Sequence, residues 1–360
     1  YVGTITKTFN ICALDITLNG GITLENLPNV VYTGTRFSTT SAQLTVDAGA
    51  NGTYNVNSSE YTVTGAGTNL NAGPGSFTIS FGGYVAGTGE SAGTGPRFAG
   101  TKTVAFTILP KNINSGNISK TATWVAYDSS LVTYDGNAKT NLPIVTTGSV
   151  KTVVIKDNDR SGVELVYSTT SGSGDYMLAA TGTWGTNPNA GLESGSVKFI
   201  GLLNYTGEVT IPFQILPKSV TGLLNITLYT GDGSGYNQAL NGYSFTGSRI
   251  EPDVTKVEVD RGGAGLLELS LITDYMVSYG TADPQKNVYA TKGGVVTITG
   301  TGNYKDTQAK TFNILPIDQQ ITFIDATLSD PDVRVESITK VLAHQYYADY
   351  EINADNLQGR

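Results

Sequence analysis

The densest run of hard oxygen ligands in this chain is Asp157-Asn158-Asp159-Arg160-Ser161-Gly162. Closely spaced carboxylate and amide oxygens are what calcium requires, so Asp157 and Asp159 are the metal candidates. The run lacks the spacing and terminal glutamate of an EF-hand loop, and Arg160 places a cation inside it. An Asx-rich turn therefore accounts for it with fewer assumptions. Asp325, Asp330 and Asp332 form a second, looser acidic group near a segment boundary. For contact with a partner, the candidates are Trp184, in the loop-like stretch Gly182-Thr-Trp-Gly-Thr-Asn-Pro188, and Tyr84, in the glycine-rich insertion 82–96. Binding residues are commonly carried on such loops by a rigid scaffold.

Catalytic constellations are missing. The sequence holds one histidine, His344, and one cysteine, Cys12, so zinc sites and Ser-His or Cys-His arrangements have no material. Paired-carboxylate hydrolysis needs two acids converging in one cleft. The acids here are scattered, except for Glu60, Asp175 and Asp274, each followed by a tyrosine (Tyr61, Tyr176, Tyr275). An acid recurring once per hundred residues or so reads as a loop anchor, and its tyrosine as core. No catalytic residue and no cofactor are assigned.

The elements that must position these residues repeat. Lys-Thr-Phe-Asn-Ile occurs at 7–11 and again at 310–314, with looser copies at 103–108 and 210–215. Each copy closes on Phe-x-Ile: Phe9/Ile11, Phe106/Ile108, Phe213/Ile215 and Phe312/Ile314. Three of them run into Leu-Pro, at 109–110, 216–217 and 315–316. Shortly before each phenylalanine stands an aromatic turn, at Tyr1, Phe98, Tyr205 and Tyr304. Early in each interval a Tyr-x-Gly occurs, at Tyr32, Tyr134 and Tyr229. Apolar and polar residues alternate through 294–314, the period that puts one face of a strand in a core. Threonine, valine, isoleucine and tyrosine fill the intervals between Gly/Asn turns, as a pleated sheet favours. The expected fold is all-β, in units of about 100 residues, with Leu-Pro ending each ladder as a short linker.

The boundaries follow: 1–12 the closing strands of a preceding unit, 13–111, 112–218 and 219–317 three full units, and 318–360 the start of a fourth or a divergent terminal segment. Ser337–Tyr350 carries apolar residues at helical spacing, with a strand through 346–352 as the alternative. An opening inside a hairpin suggests a piece of a longer protein whose end strands pair with a neighbouring copy or unit. Thirty acidic against 22 basic residues give a net charge of −8, the wrong sign for a phosphate-binding surface, so nucleic acid is not an expected partner. No apolar run reaches the length of a membrane span.

Asp274-Tyr-Met-Val-Ser-Tyr279, then 294–304 ending in Gly-Thr-Gly-Asn-Tyr, then Lys310–Pro316, resembles the Ig-like repeats of large bacterial surface proteins and adhesins. Tyr134-Asp-Gly136 looks like the related YDG/MBG-type repeats, and Asn71-Ala-Gly73 and Asn189-Ala-Gly191 match the Asn-Ala-Gly of the same family. The third unit has Asn287-Val-Tyr-Ala290 instead. The resemblance spans 1–316. It implies tandem Ig-like β-sandwich domains in a linear array, with β-grasp-like units as the runner-up. Its functional implication is a non-catalytic spacer or stalk in an extracellular, cell-surface protein or filament. Alternatives are an adhesin module binding glycan or a host protein, and a phage virion fibre or decoration protein. Expected partners are neighbouring copies or repeats.

Overall fold

The computed structural model describes residues 2–316 apart from 8–12, 17–21, 26–29, 39–42, 48–49, 51, 67, 82–97, 181–182, 187 and 281; beyond 316 it describes only two short strands. Cys12, the stub strand at Phe9/Ile11, Tyr84 and its insertion, the acids at 325–332 and His344 lie outside the described residues. The described residues are all-β apart from a single α-helical turn, α1 (Val125–Asp128), and short 3-10 turns.

In the first segment, β2 (Ile22–Glu25), β4 (Gln43–Asp47) and β5 (Thr53–Val56) form one antiparallel sheet. A second contains β6 (Tyr61–Ala66), β7 (Gly73–Phe81) and β8 (Phe98–Leu109). In β7 every other residue from Gly75 to Phe81 is buried, the same period of two that the sequence shows through 294–314. Leu44, Val46 and Val56 of one sheet and Tyr61, Ile79 and Phe81 of the other share one core. The second segment repeats the plan with β10 (Ile118–Ala122), β11 (Val153–Asp157) and β12 (Val163–Glu164), then β13 (Tyr176–Leu178), β14 (Gly191–Gly201) and β16 (Glu208–Ile215). The third has β18 (Leu224–Leu228), β21 (Val254–Asp260) and β22 (Leu266–Glu268), then β23 (Tyr275–Ser278), β24 (Gly294–Gly300) and β26 (Thr307–Phe312). Leu224, Ile226, Val257 and Val259 meet Tyr275, Val296 and Ile298 in its core.

The phenylalanine of Phe-x-Ile needs a glycine opposite it. Gly75 pairs with Phe106 and Gly294 with Phe312. A Cβ there would come within 2.5 Å and 2.0 Å of the respective rings. Lys310, in the phrase shared with the chain start, reaches across with its Nζ to the Ile226 carbonyl at 2.7 Å. Beside it the Gln308 amide brackets Leu224 N–H and C=O. Side chains thus satisfy the β18 edge that no strand covers at that point.

The Leu-Pro steps are not free linkers. The proline withholds one N–H, but pairing resumes at the next residue. β9 (Lys111–Asn112) runs parallel to β15 (Tyr205–Thr206), and β17 (Lys218–Ser219) parallel to β25 (Tyr304–Lys305), as β1 (Leu14–Asp15) does to Phe98–Ala99. Leu109, Leu216 and Leu315 also stay tied, their carbonyls accepting from Tyr32, Tyr134 and Phe245 N–H at 2.8–2.9 Å. This corrects the third Tyr-x-Gly. Its place is taken by Phe245-Thr-Gly247, with Gly247 at φ 78° like Gly34 at 77° and Gly136 at 86°. Tyr229 instead turns its hydroxyl onto Asp232 C=O within its own loop. Past 316 the helix expected over 337–350 is replaced, where described, by β28 (Val341–Leu342) paired antiparallel with β29 (Glu351–Ile352).

By compactness the chain divides into two units, one made of Tyr1–Tyr127, Thr140–Gly185 and Ser196–Phe213, the other of Asp128–Lys139, Thr186–Gly195 and Gln214–Arg360. The division runs through the second segment rather than between segments. Each of the two joints between successive segments therefore lies inside one unit.

Candidate functional site

The acids singled out by their recurrence are loop anchors. Asp175 accepts from Val166 N–H at 2.9 Å, Asp274 from Ser270 N–H at 2.9 Å and Glu60 from Asn57 N–H at 2.9 Å. The tyrosines that follow, Tyr61, Tyr176 and Tyr275, are buried. Trp184 is half-buried, its ring 5.8 Å from Trp124 and 6.3 Å from Phe213 in tilted and edge-on geometry. Both tryptophan rings pack against Phe213, Trp124 at 4.7 Å. Fully buried Trp124 also donates its Nε1–H to Pro143 C=O at 2.8 Å.

Polar side chains converge instead at the joints. At the first, the hairpin carrying Asn204 and Tyr205 meets the segment before it. Asn204 Oδ1 accepts from Ala72 N–H at 2.8 Å, and its Nδ2 donates to Asn71 Oδ1 at 3.2 Å. The Tyr205 ring packs edge-on against Tyr32 at 5.6 Å. At the second joint Asn303 makes the same pair of bonds, from Ala190 N–H at 2.7 Å and to Asn189 at 3.1 Å. Tyr304 packs edge-on against Tyr134 at 5.5 Å. The Asn-Ala-Gly tripeptides are thus receptors for the next segment's Asn-Tyr. Asn287 serves a different purpose. Its amide brackets Val295 N–H and C=O, as Asn69 does for Ser76, so it matches Asn69 and not Asn71.

An arginine stands at each joint. Arg160 Nη1 donates to Tyr205 Oη at 3.1 Å, and its guanidinium carbon lies 5.5 Å from the Tyr32 ring centroid. It can do so because Gly34 has no side chain; a Cβ there would fall 2.2 Å from Arg160 Nε. Arg261 lies by Gly136 at the second joint, its nearest guanidinium nitrogen 3.6 Å from where a Cβ would stand. Burial pushes the hydroxyls of Tyr205 and Tyr304 well above the ordinary phenol range. At Tyr205 the Arg160 bond opposes the shift and the Asp157 bond adds to it.

The calcium candidates sit behind Tyr205. Asp157 is fully buried, and its Oδ2 accepts from Tyr205 Oη at 2.9 Å. Lys111 Nζ lies 2.5 Å from Asp157 Oδ1 and 2.6 Å from Asp159 Oδ2. Asn117 donates to both Asp159 oxygens, at 2.9 and 3.2 Å. Where a metal would draw these oxygens together, a lysine ammonium does so, and among the described residues no cluster of three His, Cys, Asp or Glu is arranged for a metal. Burial pulls the Lys111 ammonium down, but the hydrogen bonds to Asp157 and Asp159 outweigh it and leave its pKa raised. Asp159 is held below the usual carboxylate range by its bonds from Lys111 and Asn117.

The spacing of Asn204 and Asn303 from their receptors, more than a hundred residues, hides this site from sequence reasoning. Its signal in the sequence is the doubled Asn-Ala-Gly together with the doubled Asn-Tyr, which only the fold brings into register. Among the described residues no helix is long and apolar enough to cross a membrane. No family model, no curated protein and no solved structure matches the chain.

Proposed function

We propose that this chain is a non-catalytic structural stretch of a long extracellular surface protein, stalk or filament, built of tandem Ig-like repeats that act as spacer material. The observation that carries the reading is the recurrence of one clamp at two places: Asn204 on Ala72 and Asn71 with Tyr205 on Tyr32, and Asn303 on Ala190 and Asn189 with Tyr304 on Tyr134. An enzyme or a binding module has no need to repeat its joints. A spacer does, because each joint must resist bending. The pairing that resumes directly after the first two Leu-Pro steps serves the same end.

Small-angle X-ray scattering on the full chain tests this. The wild type is expected to give a narrow distribution of dimensions, and the variant carrying Asn204→Ala and Asn303→Ala together a broader, more compact one. A wild-type chain already as broadly distributed as the variant would overturn the spacer reading.

A further inference from the structure

The contact between Lys111 and Asp157 differs from every other ion pair described in the chain. Both side chains are out of water, at 8 % and 0 % exposure, whereas the partner acids of the remaining pairs are 19–63 % exposed. Desolvating two charges costs several kcal/mol per ion, which a bare pair recovers only with very good geometry. A buried amine pressed against a buried carboxyl has a second way out, which is to stop being an ion pair.

We propose that Lys111 and Asp157 condense into an intramolecular isopeptide bond, with Asp159 as the proton-transfer residue. With Nζ 2.5 Å from Oδ1, the carboxyl carbon is no more than about 3.7 Å away, one C–O bond further on. That is close to the roughly 3–3.5 Å of a near-attack arrangement. Within the pair, Nζ passes one proton to Asp157 Oδ1, leaving a neutral amine and a carboxylic acid. The nitrogen lone pair then attacks Cγ. The tetrahedral oxyanion forms on Oδ2, where Tyr205 Oη donates at 2.9 Å, itself supported by Arg160 at 3.1 Å; donors aimed at a developing oxyanion are a large source of rate. Asp159 Oδ2, 2.6 Å from Nζ, takes the second ammonium-derived proton and delivers it to Oδ1, which leaves as water. The sum is an ammonium plus a carboxylate giving an amide plus one water, with no oxidant, no cofactor and no net proton.

Among the described residues the arrangement belongs to the second segment alone. By their pairing with Phe98, Tyr205 and Tyr304, Leu14, Lys111 and Lys218 occupy equivalent places. Leu14 has no amine, and among the described residues Lys218 makes no ion pair. The bond would weld the segment's first strand to the end of β11, independently of whether the chain serves as a spacer.

The test is intact-mass spectrometry of the purified full chain, followed by peptide mapping. The expected result is a chain lighter than its sequence mass by one water, with a branched peptide joining Lys111 to Asp157. Lys111→Arg keeps the cation but cannot condense, so it is expected at its full sequence mass. Asp159→Asn, its fold checked by the fluorescence of Trp124 and Trp184, is expected at full mass or with the cross-link formed many-fold more slowly. A folded wild-type chain at its full mass overturns the proposal. A mass loss that persists in Lys111→Arg does so equally, and a cross-link of undiminished rate in Asp159→Asn removes the role given to that residue.

Discussion

Gly34 lies beneath Arg160, and the cost of adding one methyl group there follows from the geometry. At φ +77° a side chain costs about 1–2 kcal/mol of backbone strain. The new Cβ would lie 2.2 Å from Nε, 2.6 Å from Cδ and 3.0 Å from Cγ of Arg160, so the middle of the side chain is struck and the guanidinium has to leave. Leaving forfeits a charged hydrogen bond to Tyr205, about 1.5–3 kcal/mol, and a cation–π contact with Tyr32, about 0.5–1 kcal/mol. Arg160→Ala should therefore cost about 2–4 kcal/mol and Gly34→Ala about 3–6 kcal/mol. The double variant should also cost only about 3–6 kcal/mol, because the arginine is lost once, so the two changes fall short of additivity by about 2–4 kcal/mol. Urea unfolding followed by tryptophan fluorescence reads this. Trp124 and Trp184 belong to the same compact unit as the joint, and such a coupling displaces the midpoint by about 1 M or more. Additive losses, or a Gly34→Ala variant within about 1 kcal/mol of wild type, would refute the account of the joint as an arginine seated on a glycine.

Asn204→Ala leaves Ala72 N–H without its acceptor and should cost about 1–2 kcal/mol. Faster amide exchange at Ala72, with Ala190 unchanged, is the expected signature, and Asn303→Ala should show the reverse. Trp124→Ala empties the cover of Phe213 and should cost about 3–5 kcal/mol in thermal or urea unfolding. Alkaline pH should loosen both joints. Tyr205 and Tyr304 have raised folded-state values, so their contribution is complete below the unfolded phenol value of about 10 and is lost as pH rises through the folded one; a midpoint flat between pH 10 and 12 would contradict this. Added calcium or chelator should leave the melting temperature unmoved, because Lys111 holds the oxygens of Asp157 and Asp159 that a cation would need.

The legible part of this fold was the part governed by local periodicity. Alternation along 294–314 marked a strand buried on one face, and Phe106, Phe213 and Phe312 announced themselves by repetition. The acids before Tyr61, Tyr176 and Tyr275 could be read as anchors because a turn is closed by residues a few positions apart. Misreadings arose where distant segments decide. Tyr229-Thr-Gly231 has the right letters, but the position is defined by a hydrogen bond to Leu315 C=O, which Phe245 makes. Proline after the closing strand suggested a short linker at which pairing ends, because its missing N–H is a local fact, whereas the parallel pairing of Lys111 with Tyr205 spans most of a segment. Local sequence around Trp184 shows only loop-formers and does not reveal that Trp124 and Phe213, from elsewhere in the fold, pack against its half-buried ring.

The same contrast explains why Asp157 and Asp159 invited a metal. Two acids two residues apart with an asparagine between them differ in sequence from an ordinary turn only by what faces them, and what faces them is a lysine 46 residues earlier. An amine and a metal ion satisfy the same local pattern, since either neutralises converging oxygens. They differ in a consequence that can be weighed. A bound ion exchanges with solvent and leaves the chain's mass as its sequence states, whereas a lysine clamped by one buried and one half-exposed carboxylate can be converted into a permanent bond. The chemistry of this stretch is therefore set by the first strand of the segment, and Lys111→Met should be more damaging than the loss of either contact on Asp159. Relative to the uncondensed chain, it leaves Asp157 buried with donors from Tyr205 and Asp159 N–H but no countercharge, a loss of about 3–5 kcal/mol. Restoring neutrality with Asp157→Asn in the same chain should recover much of that cost in urea unfolding. If the second change recovers nothing, the lysine acts through packing, and the electrostatic argument for this pair fails.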